Sequence, residues 1–294
     1  MIQLGAMTCS LNECRLGIGD FCCSIACKDP LIALCFREYY SGFLVSEREP
    51  DLTINIGIAY HPVGAYQIPN SILLTKVADG NYFSFASGLL EGSIDLSRKC
   101  CEITVKEALL CGGNIRIFEQ FLYQVYYTLL HDQSPQLMSF LIHASGVIRN
   151  GKGFAFSGRS GSGKSTIASL SSQEIVLNDE IVIIENRNGS FWVRSTPFNG
   201  LYRSKKNAEA PLKAIFLLEH SKENYLIPLS KDGFSRKFVK ELIFSAPLLS
   251  TDRTKAFSDM LHFCSYLVES VPVYRLGFRP DRSFWECIDG QENL

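Results

Sequence analysis

The sequence lacks the features that direct a chain to a membrane, to nucleic acid or to an oxidising compartment. Its 294 residues carry 29 Lys and Arg against 30 Asp and Glu, so the formal net charge of −1 gives no electrostatic reason to bind nucleic acid or an anionic membrane surface. The longest apolar neighbourhood, residues 21–36, is interrupted by Lys28, Asp29 and Pro30, so we expect no membrane span. No basic stretch followed by an apolar run opens the chain, which predicts a cytoplasmic protein.

Cysteine is abundant, but its pattern does not favour disulfides. The eleven cysteines are an odd number in a chain that is not a short secreted one. Cys14, Cys22, Cys23 and Cys27 cluster without any C-x-x-C pair. A metal site and a group of reduced, buried thiols both remain open for this cluster, and the spacing favours the thiols.

Length and composition predict a globular protein of two lobes. The hydrophobic fraction of 46% and the charged fraction of 20% are ordinary for a folded domain, and the length exceeds the usual domain of about 100–200 residues. Apolar positions at helical spacing predict an amphipathic helix over 115–130. We place the boundary just after it, which gives a small strand-rich α+β lobe, 1–132, and a second domain, 133–294.

Short apolar runs with a period of two fill most of the first lobe and predict strands, for example at 52–58 and 101–105. Residues 31–36 are apolar throughout, so the segment 31–40 fits a buried strand or a short buried helix equally well. No catalytic constellation appears in this lobe.

The most informative segment of the second domain runs from Gly158 to Thr166 and fits the pattern G-x-x-x-x-G-K-[ST] at every fixed position. Glycines let successive backbone N–H groups converge on phosphate oxygens, Lys164 adds a positive charge, and the Ser165 hydroxyl can bind Mg²⁺. A predicted strand, 154–157, precedes the loop and a predicted helix follows it. An ordinary Gly/Ser turn would leave Lys164 unexplained. The predicted nucleotide-binding residues are Gly158, Ser160, Gly161, Ser162, Gly163, Lys164, Ser165 and Thr166.

Two Asn-Gly pairs predict hairpins on both sides of this loop, at Asn150-Gly151 and Asn188-Gly189. Antiparallel neighbours are foreign to a doubly wound dinucleotide-binding sheet, so the fold class we predict is α/β with a mixed sheet.

A magnesium-dependent phosphate loop also needs a carboxylate, and Asp179 and Glu180 are the candidates. One helix of two to three turns fits between Lys164 and Ile175, so both acids follow the very next strand, and one βαβ step brings that strand close to the loop. The alternative is an acidic turn at the entrance to a strand.

Together, several segments resemble the catalytic domain of the HPr kinase/phosphorylase family, over about residues 135–280. They are His143-Ala144-Ser145-Gly146-Val147, the Asn150-Gly151 hairpin, the loop from Gly158 to Thr166, Leu177-Asn178-Asp179-Glu180 and Thr196-Pro197-Phe198. The chain looks most like the short members of that family, which include lasso-peptide kinases. The resemblance implies a P-loop core of the HPr kinase and phosphoenolpyruvate carboxykinase type.

The resemblance also implies transfer of the ATP γ-phosphoryl group to a serine hydroxyl with Mg²⁺. Asp179 would take the hydroxyl proton, Asp179, Glu180 and Ser165 would hold the metal, and His143 would lie near the phosphates or the acceptor. A buried core histidine is the alternative for His143. The sequence departs from the family in having Glu180 in place of the usual aspartate and no glycine-rich segment after the acidic pair, which counts against HPr as substrate and against the reverse reaction.

Two functions therefore follow from the sequence. The first is an ATP-dependent kinase acting on a serine of a peptide, protein or small molecule, with neither nucleic acid nor membrane as partner and with self-association left open. The second is a nucleotide-dependent switch or ATPase module that transfers phosphate only to water; no LSGGQ-like signature suggests an ABC-type ATPase. Arg203, Lys205 and Lys206 either approach a phosphate or form a solvated basic loop.

Overall fold

The computed structural model of the protein describes residues 12–59, 73–77, 81–86, 89–106, 115–133, 139–198, 200–230, 238 and 253–291. They form a mixed α/β fold that divides into two compact units, 1–129 and 130–294. The division falls within one helix, Ile115–Gln133, and so does the boundary predicted from the sequence.

The elements of the first unit are β1 (Glu13–Ile18), β2 (Phe21–Cys27), α1 (Pro30–Tyr39), a 3₁₀ turn (Ser41–Phe43), β3 (Leu52–Ala59), β4 (Leu73–Val77), β5 (Tyr82–Ala86), β6 (Leu90–Asp95), β7 (Cys100–Lys106) and most of α2 (Ile115–Gln133). The strands form one sheet in the order β1-β2-β3-β7-β6-β5-β4. Strands β2, β3 and β7 are mutually parallel and the other pairs are antiparallel. This agrees with the strand-rich first lobe expected from the period of two.

The ambiguous segment 31–40 is a helix, and its N-terminus shows why. The Asp29 carboxylate caps α1 by accepting hydrogen bonds from the backbone N–H groups of Leu31 (2.9 Å) and Ile32 (3.2 Å), and Pro30 occupies the first turn, where its missing N–H costs nothing. Helix α2 confirms the predicted amphipathic helix, since Phe121 is fully buried and its ring lies 4.9 Å from that of Phe85.

The cysteine cluster of the first unit lies inside the unit. Cys14, Cys22, Cys23 and Cys27 are all buried, and burial raises the pKa of the thiols of Cys22, Cys23 and Cys27. Within the described ranges no group of three or more His, Cys, Asp or Glu side chains is placed to hold a metal ion. A raised pKa keeps these sulfurs in the neutral thiol form, which suits apolar packing rather than metal binding.

The elements of the second unit, after the end of α2, are β8 (Ser139–Arg149), β9 (Lys152–Ser157), α3 (Lys164–Leu170), β10 (Ile175–Asn178), β11 (Ile181–Arg187), β12 (Ser190–Arg194), β13 (Glu209–His220), β14 (Tyr225–Pro228), α4 (Arg253–Ser270), β15 (Val273–Phe278) and α5 (Phe284–Asp289). Its strands make two sheets that share the long strands β8 and β13. The first half of β8 pairs with β11, which leads through β12 to the start of β13.

The second half of β8 belongs to the sheet that carries the loop predicted to bind phosphate. Here the strand order is β10-β8-β9-β13-β15-β14. Strands β9, β13 and β15 are parallel, whereas β8 is antiparallel to both of its neighbours, β9 and β10. The central strand β9 therefore has β8 and β10 on one side and β13 and β15 on the other, and β9, β10, β13 and β15 all end at the same edge.

Both predicted hairpins are present. Asn150 (φ 53°) and Gly151 (φ 74°) join β8 to β9, and Asn188 (φ 50°) and Gly189 (φ 89°) join β11 to β12. Two consecutive residues with positive φ match the twist of the flanking strands, which is why this dipeptide predicts the turn so well.

The core of the second unit lies between the loop-bearing sheet and its helices. It contains Phe154 and Phe156 of β9, Phe216 of β13, Ile167 of α3 and Trp285 of α5. The sequence also predicts helices over 234–244 and 258–270. The second is present within α4, whereas the first lies outside the described residues except for Phe238. Among the described helices none is long and apolar enough to cross a bilayer.

Candidate functional site

A glycine-rich loop, residues 158–163, joins the central strand β9 to helix α3. Gly161 (φ 80°) and Gly163 (φ 101°) adopt left-handed backbone conformations that favour glycine. Gly163 is needed for a second reason, because a Cβ atom there would lie 2.4 Å from Cζ of Phe278. The loop is therefore seated directly on the aromatic ring at the end of β15.

Lys164 begins α3 and turns its side chain back onto the loop. It is only 7% exposed, and its ammonium donates hydrogen bonds to the carbonyl oxygens of Gly158 (2.7 Å) and Arg159 (3.3 Å). These contacts hold a positive charge against the loop that the sequence predicts to bind phosphate. Of the other predicted loop residues, Ser160 and Thr166 are exposed and Ser165 is partly exposed.

His220, at the end of β13, holds the other side of the loop. Its Nε2 lies 2.7 Å from the carbonyl oxygen of Gly161, and its ring centroid lies 5.9 Å from that of Phe278. His220 was not among the predicted site residues. Its place at the end of an apolar strand was visible in the sequence, but only the parallel pairing of β13 with β9 shows that this strand ends at the edge where such sheets bind ligands.

Strand β8 brings three predicted site segments to this edge. Ala144 of β8 is the register partner of Ser157, the last residue before the loop, and Gly146 is the partner of Asn178, the last residue of β10. His143 precedes Ala144, and its carbonyl oxygen accepts a hydrogen bond from Ser157 Oγ (3.2 Å). The chain thus brings His143, the glycine-rich loop and the start of the acidic pair to one edge, although β10 does not neighbour β9 directly.

Asn178 fixes the turn that carries the acidic pair. Its buried amide donates to the carbonyl oxygens of Thr196 (3.1 Å) and Phe198 (2.9 Å) and lies 3.1 Å from Thr196 Oγ1. The side-chain oxygen Oδ1 of Asn178 accepts hydrogen bonds from the backbone N–H groups of Glu180 (2.9 Å) and Ile181 (3.4 Å). One side chain therefore links the acidic turn to the segment 196–198, two stretches that the sequence analysis treated as separate motifs.

Asp179 lies beneath Gly200 and Leu201, which follow soon after that segment. It is 1% exposed, and its Oδ2 accepts a hydrogen bond from the N–H of Leu201 (3.1 Å). Its Oδ1 is buried without a hydrogen-bond partner in the described part of the chain. A Cβ atom on Gly200 would lie 1.8 Å from Oδ1, so only a glycine backbone fits over this carboxylate.

Glu180 has the opposite surroundings. Its side chain is 32% exposed, and Oε1 lies 3.9 Å from Nε2 of His143, which is 31% exposed. Successive side chains alternate along β8, so His143 points to the same face as Val147, which packs with Ile167 of α3. This carboxylate and imidazole form an open pair on the face that α3 covers.

The basic residues after this turn are used in different ways. The Lys205 ammonium donates to the carbonyl oxygen of Pro197 (2.8 Å) and to that of Phe198. The backbone N–H of Lys206 donates to the carbonyl oxygen of Val176 (2.8 Å), and its side chain is exposed, as is that of Arg203. Lys205 therefore braces the segment 196–198, which Asn178 also binds.

The site's donor set can be compared with the needs of Mg²⁺. This ion takes few protein ligands, usually one or two carboxylates beside substrate phosphates and water. The unpartnered Oδ1 of Asp179, the open carboxylate of Glu180 and the hydroxyl of Ser165 at the start of α3 are ligands of that kind. These residues fit such an ion.

A concavity of about 940 Å³ lies on the sheet of the first unit. Its walls carry Asn55, Ser84, Glu91, Ser93 and Glu102. The Glu102 carboxylate is already engaged by the amide of Asn55 at 2.7 Å. Among its described residues the first unit shows no glycine-rich loop followed by a buried lysine like the one after β9, so we place the candidate site in the second unit.

Comparison with known families and structures gives one decisive match. The family described as SynChlorMet cassette protein ScmC matches residues 101–291, which is more than half of the chain. The chain belongs to the ScmC family. The match covers all residues of the candidate site.

Other comparisons of this ScmC-family chain add little. No curated protein sequence matches it. Among solved structures, it is similar to the Hpr(Ser) kinase/phosphatase from Coxiella burnetii, with 9% sequence identity over 47% of this chain and 84% of that chain. The TM-score is 0.26, at which the similarity carries no argument about fold or function.

Proposed function

We propose that the protein is an ATP-dependent kinase with a P-loop core of the HPr kinase type, and that it transfers the γ-phosphoryl group to a serine hydroxyl of a peptide, protein or small molecule. One observation carries the proposal. A glycine-rich loop with a buried lysine and a pair of acidic residues lie at the same edge of one sheet, on either side of β8, which contributes His143. Phosphoryl transfer needs positioning and charge neutralisation far more than covalent chemistry, and these groups supply both.

The roles follow from the chemistry of each group. Backbone N–H groups of the loop and the ammonium of Lys164 would hold the phosphates, and Ser165 with the acidic pair would hold Mg²⁺. The metal ion, when bound, would offset negative charge on the phosphates. In the transfer, an O–P bond forms between the serine oxygen and the γ-phosphorus, the bond to the β–γ bridging oxygen breaks, and ADP leaves. The hydroxyl proton passes to a carboxylate.

We assign that proton to Asp179, as the sequence resemblance implies. Its Oδ1 has an unused acceptor position in the described structure, which a substrate hydroxyl would fill once Gly200 and Leu201 move away from the carboxylate. Glu180 is an alternative proton acceptor because its carboxylate is open to solvent and lies next to His143. A carboxylate backed by an imidazole is also a reasonable base.

A second candidate function is supported by the burial of Asp179. With Gly200 and the N–H of Leu201 against its carboxylate, an acceptor hydroxyl reaches Asp179 only if this segment moves. A site closed in this way would suit a nucleotide-dependent switch or ATPase module, in which the phosphoryl group passes only to water. Both candidates require the same nucleotide at the same loop.

The deciding experiment follows the label of γ-³²P-ATP with Mg²⁺ and a panel of serine-containing peptides, proteins and free serine. Label on a serine acceptor supports the kinase, and label released only as inorganic phosphate supports the switch or ATPase. Either activity should disappear in Lys164→Ala. Lys152→Ala removes an exposed lysine from the other end of β9 and should leave the activity unchanged. No turnover of ATP with any acceptor or with water contradicts both candidates.

A further inference from the structure

A cavity of about 470 Å³ opens beside the glycine-rich loop, on the side away from the acidic pair. One wall is the loop itself, residues 158–162, and the other is formed by the end of β13, residues 217–220, together with Arg275 of β15. Its volume is that of a small-molecule site. We propose that this cavity binds the nucleoside part of a nucleoside triphosphate, with Glu219 recognising the ribose and Arg275 the base. The inference rests on the proposed function, since it requires that the loop binds phosphates.

The direction of the bound nucleotide follows from the order of the strands. The acidic pair and His143 lie on the β8 and β10 side of β9, so the reacting end of the triphosphate must point to that side. The rest of the nucleotide then extends toward β13 and β15. These two strands run parallel to β9 and end at the same edge, and the crevice outside the carboxyl ends of parallel strands is where such sheets bind ligands.

Glu219 is held in place for a role in ribose recognition. Its Oε1 accepts a hydrogen bond from the hydroxyl of Tyr225, and its Oε2 lies 3.5 Å from Nε of Arg275. The Tyr225 ring is itself seated against the backbone of Gly277, where a Cβ atom would lie 2.3 Å from the ring. The carboxylate is thus oriented but remains 46% exposed, and a carboxylate is the group that accepts hydrogen bonds from the vicinal hydroxyls of a ribose.

Arg275 and His220 complete the cavity. The guanidinium of Arg275 is planar and weakly hydrated, so it stacks on an aromatic base at little desolvation cost. The imidazole of His220 bonds to the Gly161 carbonyl, so it ties the nucleoside cavity to the loop that would carry the phosphates. Ser162 Oγ, in the same wall, is buried with no hydrogen-bond partner among the described residues and offers a donor to the ligand.

The test measures equilibrium binding by calorimetry of Mg²⁺-ADP, Mg²⁺-2′-deoxy-ADP and Mg²⁺-pyrophosphate to the full chain. We expect ADP to bind at least about tenfold more tightly than pyrophosphate and about tenfold more tightly than 2′-deoxy-ADP, the usual worth of a hydrogen bond to a charged group. Glu219→Gln should abolish the preference for the ribonucleotide and leave pyrophosphate affinity unchanged. Glu223→Gln, an exposed glutamate in the turn after β13, is the control and should change nothing.

A second variant tests the base. Arg275→Met keeps a long side chain without the guanidinium. It should weaken the binding of ADP but not the binding of pyrophosphate. Equal affinity of ADP and pyrophosphate, or an unchanged preference for ribose in Glu219→Gln, would overturn the nucleoside site. In either case, loss of pyrophosphate binding in Lys164→Ala would still support the loop as a phosphate site. If neither pyrophosphate nor ADP binds, the proposed function fails together with this inference.

Discussion

Asp179 and Glu180 are adjacent in the chain and lie in contrasting surroundings, one sealed and one open. We predict that Asp179→Asn retains nucleotide binding and lowers serine phosphorylation by about 10²–10⁴, because the amide keeps the shape and cannot accept the proton. Glu180→Gln should raise the Mg²⁺ concentration required and have a smaller effect on the rate at saturating metal. Initial rates as a function of Mg²⁺, with nucleotide affinity measured separately, distinguish the two. The reverse pattern would move the base to Glu180 beside His143.

We predict that the side chain of Asn178 contributes to the stability of the folded protein. Asn178→Ala removes the partner of the Thr196 and Phe198 carbonyl oxygens and of the Glu180 N–H, and each buried group left unsatisfied costs about 1–3 kcal/mol. The free energy of unfolding in urea should therefore fall by more than about 2 kcal/mol. Asn186→Ala is the control.

Asn186 makes one such bond, to the exposed N–H of Gly189 at 2.8 Å in the β11–β12 turn. Its replacement should cost less than about 1 kcal/mol. Similar losses for Asn178→Ala and Asn186→Ala would mean that the link between the acidic turn and segment 196–198 contributes little.

The sequence predicted which residues belong to the candidate site better than it predicted their surroundings. Lys164, Asp179 and Glu180 were selected because their residue types and spacing suit phosphoryl transfer, and His143 because of the family resemblance. The fold brings their segments to one edge. The burial of Asp179 could not be foreseen, since it depends on Gly200, which is 21 residues away and identifiable only once its backbone is seen over the carboxylate. Asn178 was noted as part of a motif, but a single sequence gives no sign of its long-range partners.

At the scale of elements, the conformation of the glycine-rich loop depends on its contact with Phe278 at the end of β15. We predict that Gly163→Ala destabilises the protein and weakens nucleotide binding, because its Cβ atom would lie 2.4 Å from Phe278 at a backbone φ of 101°. Gly161→Ala is the matched control, with a positive φ of 80° and open space around the new Cβ atom.

In thermal melting, Gly161→Ala should show only the cost of the left-handed conformation, about 1 kcal/mol. The stability of the two variants is compared by thermal melting, and the nucleotide affinity of Gly163→Ala is compared with that of the unchanged protein. If the two variants behave alike, the contact between the loop and β15 does not fix the loop.

Local patterns predicted individual elements well and their arrangement poorly. Asn-Gly pairs specify a turn by their own conformational preference, so both hairpins were predictable. Helix α1 was left ambiguous by its apolar run, although the Asp29-Pro30 pair already carried the start signal of a helix. The position of β8 between β9 and β10 could not be predicted, because periodicity describes each strand and says nothing of which strands become neighbours.

At the scale of the whole molecule, the chain contains two compact units, each with its own strands and buried residues. A glycine-rich loop with a buried lysine, the acidic pair and the cavity beside the loop all lie in the second unit. Composition and length suggested two lobes, and the end of the long amphipathic helix suggested where to divide them. The function of the first unit, in contrast, has no motif from which it could be inferred.

This division predicts how a ligand changes thermal unfolding. Units with separate cores unfold in separate transitions unless they are strongly coupled, so calorimetry should resolve two transitions. Mg²⁺-ADP at 100 times its Kd would stabilise the unit that binds it by about 2.7 kcal/mol, which raises the Tm of a unit of this size by about 5–10 °C and leaves the other transition in place. Lys164→Ala should remove the shift and Lys152→Ala should keep it. Two transitions that rise together with the nucleotide would show that the units unfold as one, and a shift that survives in Lys164→Ala would place the nucleotide away from the glycine-rich loop.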